Sequence, residues 1–292
     1  MIVNRHLLAA WLMLFAVAAS GADPVAGDRA LRLDWKENIL TISGPDLPGR
    51  EMRVLYIEAY CRLGAHDRKW QETTIGHRTR LVSRAEDGHS LVLECTLSDG
   101  VRVRHEIRGG ADEVDFGITA TNPTDKTSQA QWAQPCVRVD AFTGRDKNNY
   151  VDKCFIFLDG KLTRMPMRNW ATTALYTPGQ VWCPKGLDRA DMNPRPLSDA
   201  VPDNSLIGCF SADEKRMMAI AFEPCHELFQ GIAACLHSDF RIGGLAPGES
   251  KRVHGKIYIV PNDVEGLLRR YHKDFPEQAN GAGGGRDSPK RD

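Results

Sequence analysis

The chain has 292 residues, and its 38 Lys and Arg balance its 38 Asp and Glu. A zero formal charge gives no basic field to gather a polyanion, so nucleic acid is not an expected partner. Beyond residue 22 no apolar run reaches the roughly 20 residues that a spanning helix needs, so no stable membrane span is expected after that point.

The N-terminus pairs a short basic start, Asn4-Arg5-His6, with the apolar run Leu7 to Ala19 and the small residues Ser20, Gly21 and Ala22. That order of basic start, apolar stretch and small-residue exit is a secretory signal peptide over 1–22, with a mature chain beginning near Asp23. Both Ala16-Val17-Ala18 and Ser20-Gly21-Ala22 fit the small-x-small rule. An exported, periplasmic or extracellular protein is the expectation.

Eight cysteines follow, Cys61, Cys95, Cys136, Cys154, Cys183, Cys209, Cys225 and Cys235, none in a C-x-x-C pair. The thioredoxin and zinc-ribbon readings therefore fail. An oxidising compartment permits disulfides, although a domain of this size does not depend on them. If Phe229-Gln230-Gly231 is a hairpin tip, Cys225 and Cys235 stand opposite each other and can bridge; two buried thiols are the alternative.

Period-two alternation dominates the first half. Strands are predicted at Ile39 to Ser43, Met52 to Tyr60 and Thr79 to Arg84. Leu91, Leu93, Cys95 and Leu97 then alternate with polar residues, and Ser98-Asp99-Gly100 turns the chain into Val101, Val103, His105 and Ile107. His105 falls on the apolar face, the ordinary position of a core histidine. A further strand runs through Val114, Phe116 and Ile118.

From Trp132 to about Asp203 the periodicity fails. Cys154 to Leu158 reads as a strand, but Pro166, Pro178, Pro184, Pro194, Pro196 and Pro202 break what surrounds it. A long irregular segment in a compact domain is either a functional loop or cover for a sheet edge. It carries Trp170, Trp182, Tyr150 and Tyr176. Aromatic faces suit sugar C–H patches, and they also anchor loops.

Strands return at Leu206 to Phe210 and Met217 to Phe222, then in a hairpin about Gln230, then at Val253 to Val260. Asn262 or Asp263 caps one helix, Val264 to Phe275, whose Leu267, Leu268, Tyr271 and Phe275 share a face. Residues 279–292 are glycine-rich and read as a disordered tail. The expected organisation is a signal peptide over 1–22, one mainly β domain over 23–278, a large antiparallel β-sandwich with one C-terminal α-helix, and the tail.

The densest polar cluster among the strands comprises Glu223, Cys225, His226, Glu227 and, across the predicted hairpin, His237, Asp239 and Arg241. With the tip at Gln230, Glu223 faces His237. A carboxylate beside an imidazole can position it for proton transfer, or the two can form a plain cross-strand ion pair. His66-Asp67 and His237-Ser238-Asp239 have no recognised metal spacing, so neither metal nor cofactor is expected.

The segments Ala234-Cys235-Leu236-His237-Ser238-Asp239-Phe240, Leu245-Ala246-Pro247-Gly248-Glu249 and Gly255-Lys256-Ile257-Tyr258, with Asn122-Pro123-Thr124, resemble the galactose-mutarotase-like superfamily. The resemblance implies a supersandwich whose concave sheet face accepts a sugar. It also implies an acid–base pair, for which His237 or His226 and Glu223 or Glu227 are the candidates. Trp182, Trp170, Asp239 and Arg241 are the expected ligand contacts. The first expectation is thus an exported carbohydrate-recognition or carbohydrate-processing sandwich. The others are a structural or interaction sandwich with no small-molecule site, and a sugar epimerase or lyase.

Overall fold

The structure, a computed structural model, describes residues 30–277; the expected signal segment and the 279–292 tail lie outside them. Two large antiparallel sheets face each other. The first runs, edge to edge, Arg32–Lys36, Ile39–Ser43, Glu51–Cys61, Trp132–Arg138, Cys235–Arg241, Cys225–Gln230 and Gln180–Trp182, with the short Thr74–Ile75 beside Glu51–Cys61. The second runs Lys161–Arg164, Cys154–Leu158, Ile207–Phe210, Arg216–Glu223, Ser250–Pro261, Glu113–Thr121, Arg102–Gly109, Ser90–Leu97 and His77–Arg84.

Alternation decides what each sheet buries. Leu91, Leu93, Cys95, Val103, Ile107, Val114 and Phe116 of the second sheet pack against Leu40, Ile42, Val54, Val137, Leu236 and Phe240 of the first. Burying each such side chain is worth about 1.5–3 kcal/mol, and this shared core holds the sheets together. His105 sits in it fully buried, as its place in the pattern predicts, but its ring meets side chains and not a backbone carbonyl. Its Nδ1 lies 2.8 Å from Tyr56 Oη and its Nε2 lies 3.0 Å from Tyr60 Oη.

Part of the second sheet is covered on its other face too. Arg216–Glu223 between its ends, and the 257–260 stretch of Ser250–Pro261, are apolar on both faces because Leu267 and Tyr271 of the helix Val264–Asp274, with Phe275 just after it, pack on their outer side. Asp263 caps that helix, its carboxylate accepting from Gly266 N at 2.9 Å. Arg270 clamps it to the sheet by a two-point pair with Asp112. At the end of Glu113–Thr121, the Asn122 side-chain amide donates to the carbonyls of Lys126, Leu245 and Ala246 and so organises the Pro-Gly turn at 247–248.

Three strands lie where the sequence offers no alternation: Trp132–Arg138, Lys161–Arg164 and Gln180–Trp182. Trp132–Arg138 is central and buried on both faces, so it never alternates. Its Pro135 has no N–H to give to a ladder, and the pairing with Cys235–Arg241 is interrupted between Val137 and Ala133.

The C-terminal hairpin departs from the expected register. Gln230 pairs with Leu236, Phe229 with His237 and Cys225 with Phe240, so the tip is at 231–234 and not at Gln230. Glu223 therefore faces His254 of the other sheet, not His237. The expected Cys225–Cys235 bridge is not made: Cys235 lies five residues along the strand from Phe240, about 16 Å at strand rise, far beyond a disulfide's reach. All eight cysteines are free thiols.

Candidate active site

Cys235, His237, Asp239 and Arg241 occupy alternate positions of one strand and point away from the core, while Leu236 and Phe240 between them point into it. The neighbouring strand Trp132–Arg138 pairs Leu236 with Val137 and Phe240 with Ala133. The same register sets Cys136 across from His237 and Gln134 across from Asp239. On the other side Glu227 stands opposite Asp239 and Phe229 opposite His237. A bulge between Cys225 and Glu227 inserts His226 and turns it onto this outer face, where it stacks on Trp132 with centroids 4.7 Å apart.

The floor thus assembled is buried and ionisable. His237 Nε2 lies 3.3 Å from Cys235 Sγ, and His237 Nδ1 lies 3.6 Å from Asp239 Oδ1. Gln134 Nε2 donates to Asp239 Oδ2 at 3.0 Å, and Asn193 N donates to Glu227 Oε2 at 2.7 Å. A bond from the Cys136 thiol, with the nearby His237 charge, holds the Cys235 thiol well below its usual range and outweighs burial. Cys136, as the donor of that bond, is pushed up. Burial opposes a charge on His237, but the Cys235 sulfur and the Asp239 carboxylate overcome it and raise the ring well above its usual value. Burial raises Glu227, and the Asp239 charge opposite raises it further; burial raises Asp239 as well, against the pull of the His237 ring. His226 goes the other way: burial and the Arg241 charge lower it to about 3, and its neutral ring donates Nε2–H to Asp191 O at 3.2 Å.

Two loops stand over this floor. The 62–73 segment and the 184–198 segment are tied by His66 N to Ala190 O, Gly64 N to the Asp191 carboxylate and the His66 ring to Asn193 O. Trp70 and Tyr176, both half-buried, meet where Trp70 N donates to the Tyr176 hydroxyl. Between loops and sheet lies a cleft of about 280 Å³ lined by Trp70, Tyr176, Gln134, Arg138, Cys235 and His237, among others. A larger hollow, about 780 Å³, lies on the outer face of the second sheet near Arg104, Arg252, His254 and Phe275. Of the two, the smaller cleft is the candidate site, because the buried Cys136, Cys235 and His237 converge on it.

The expected site residues divide. His237, Asp239, His226 and Arg241 share the outer face of the first sheet, and Glu227 joins them. Glu223 belongs to the second sheet, where it accepts from the Tyr271 hydroxyl at 2.9 Å and from Cys225 N. Trp182 is fully buried in the inter-sheet core, with Trp170 packed edge-on at 5.9 Å, and neither borders the cleft. Gln134 and Cys136 were invisible in the sequence because their strand was. Cys235 was visible, and its spacing of two from His237 and of four from Asp239 is the signal that would have placed the three on one face.

The architecture is a large sandwich of two antiparallel sheets with one C-terminal helix. No protein-family profile and no curated protein matches the sequence. Similar solved structures are the Slr1438 protein from Synechocystis sp. PCC 6803, at TM-score 0.42 and 9% identity over 85% of this chain and 99% of that one; a galactose mutarotase related enzyme from Lactobacillus acidophilus, at 0.39 and 10% over 78% and 97%; and galactose 1-epimerase from Lactobacillus acidophilus NCFM, at 0.37 and 9% over 80% and 98%. The likeness is a loose one of chain path, and the chemistry of the site rests on its own residues.

Proposed function

We propose that this protein is an exported carbohydrate-recognition sandwich that takes a single sugar ring into the cleft over its first sheet. The observation that carries the reading is the pairing of a half-buried aromatic wall, Trp70 and Tyr176, with a polar floor that includes Gln134, Arg138 and His237. An aromatic face accepts the C–H side of a pyranose while amide, guanidinium and imidazole groups take its hydroxyls. At about 280 Å³ the space falls just under the roughly 300–1,000 Å³ of drug-sized pockets, which suits one ring better than a chain. Export rests on the basic start and the Leu7 to Ala19 run.

The test is calorimetric titration and thermal shift of the protein against a panel of neutral, amino and acidic monosaccharides, with a glycan array alongside. One or more sugars should raise Tm, and Trp70→Ala should weaken that binding at least tenfold while leaving the unliganded Tm near wild type. No shift with any sugar and no retained glycan would favour a sandwich that serves only as a structural or interaction module. Secretion is read separately, from the N-terminal residue of the protein recovered outside the cytoplasm.

A further inference from the structure

The cleft floor holds two thiols that the sugar reading does not use, and they stand beside the His237 imidazole that it does. Cys136 Sγ, Cys235 Sγ and a ring nitrogen of His237 lie within 4.8 Å of one another. A tetrahedral zinc ion would set sulfur to sulfur at about 3.8 Å and sulfur to nitrogen at about 3.6 Å, given Zn–S near 2.3 Å and Zn–N near 2.0–2.1 Å. The His237 Nε2 to Cys235 Sγ distance is already 3.3 Å. Small side-chain adjustments would complete the triangle.

We infer that Cys136, Cys235 and His237 form a three-ligand site for a divalent transition metal of the zinc class, with the fourth coordination position facing the cleft.

Four independent features support the assignment. The first is separation from the core: Cys95, Cys154 and Cys209 belong to the inter-sheet core, and Cys61 and Cys183 to smaller apolar clusters. Cys136 and Cys235 belong to none of them, and both line the cleft.

The second is the register. Cys136 is across from His237 and so diagonal to Cys235; such diagonal pairs have Cα atoms about 7–8 Å apart, past the separation a disulfide tolerates. The two thiols can share an ion more readily than a bond between them.

The third is the outer support. His237 directs Nε2 at the thiol, and its Nδ1 lies 3.6 Å from Asp239 Oδ1, an ion-pair separation longer than a hydrogen bond; neither Nδ1 nor that oxygen has a hydrogen-bond partner among the described residues, so a small rotation of the ring would join them. A metal-ligating histidine characteristically gives its second nitrogen to a carboxylate, which fixes the ring. Gln134 fixes that carboxylate in turn through Asp239 Oδ2.

The fourth is access. Three protein ligands with an open fourth position are the arrangement of metal sites that meet a ligand, and structural sites are closed by four. Here the open side is the cleft that Gln134, Arg138 and Trp70 line.

The experiment uses the whole protein, reduced and stripped of metal under anaerobic conditions, titrated with Co²⁺ and then Zn²⁺. One equivalent of Co²⁺ should give the intense visible bands of a tetrahedral ion and a thiolate-to-metal charge-transfer band, and Zn²⁺ should displace it. Cys136→Ser, Cys235→Ser and His237→Ala should each lose that spectrum or at least tenfold in Zn²⁺ affinity, whereas Cys183→Ser should match wild type. Asp239→Asn should keep the tetrahedral spectrum and weaken Zn²⁺ by ten- to a hundredfold. Far-ultraviolet circular dichroism on every variant separates lost binding from lost fold. Should a cysteine variant unfold, Asp239→Asn and Cys183→Ser decide the matter between them. Absence of a stoichiometric Co²⁺ spectrum, the same spectrum in Cys136→Ser and Cys235→Ser, or equal Zn²⁺ affinity in Asp239→Asn and wild type would overturn the site. No sugar enters this test, so it stands or falls apart from the proposed function.

Discussion

Glu227 accepts the backbone N–H of Asn193 at 2.7 Å, a bond that ties the loop over the cleft to the sheet beneath it across 34 residues of chain. A carboxyl buried at the site thereby also sets the position of the cleft's lid. Glu227→Ala leaves that buried N–H without an acceptor, at a cost of about 1–3 kcal/mol. Glu227→Gln keeps a carbonyl oxygen in place, and should hold the loop. The alanine variant should be cut faster within 184–198 in limited proteolysis and the glutamine variant should not. Equal cutting of both would show that the bond does not restrain the loop.

Gly231 closes the hairpin beside the thiol. A Cβ there would collide with Cys235 Sγ and come within 3.2 Å of His237 Nε2. Gly231→Ala should therefore push Cys235 or His237 out of line with only a small change in Tm, since the tip is at the end of the ladder. The readout is loss of both sugar and metal binding in a variant with wild-type circular dichroism; unaltered binding would contradict the placement of these groups.

The two hydroxyls around His105 bear on acid stability. Burial holds its pKa near 3 in the folded protein, against about 6.5 in an unfolded chain. The unfolded state then binds the extra proton between those values, so the contribution is complete above pH 6.5 and is lost as pH falls towards 3. The slope is about 1.4 kcal/mol per pH unit for such a histidine. His226, also near 3, adds a slope in the same window. Denaturant midpoints from pH 7 to pH 4 should fall steeply for the wild type and less so for His105→Gln, whose side chain takes up no proton. Parallel profiles would refute it.

Gly255 lies under the ring of Phe222 with no room for a methyl group, and both are on strands at the centre of the second sheet. Gly255→Ala should destabilise by about 1–3 kcal/mol through overpacking, and Phe222→Leu in the same chain should recover part of the loss. Chemical denaturation of the single and double variants measures both effects.

Much of this fold was legible because one face of most strands is apolar and the other wet. Residues 90–109 alternate without error, and their turn and register follow from Ser98-Asp99-Gly100. The strand Trp132–Arg138 was not legible for the opposite reason. It is buried on both sides by the core within and the loops without, so its sequence has no period, and Pro135 reads as a breaker although the sheet merely skips a bond there. Half of the cleft floor, Gln134 and Cys136, went with it. The hairpin misled through its length: a loop of four residues at 231–234 shifts the partner of every residue before it. That moved Glu223 away from His237 and put Phe229 in its place.

The spacing of two that carries Cys235, His237 and Asp239 on one strand has an evolutionary consequence. Inserting or deleting a single residue before Cys235 would rotate thiol, ring and carboxylate together into the hydrocarbon interior and bring Leu236, Ser238 and Phe240 to the outside. Drift by indel cannot retire one member of the trio and spare the rest. In descendants of this chain the three should be kept together or vanish together, while point changes nibble only at the walls.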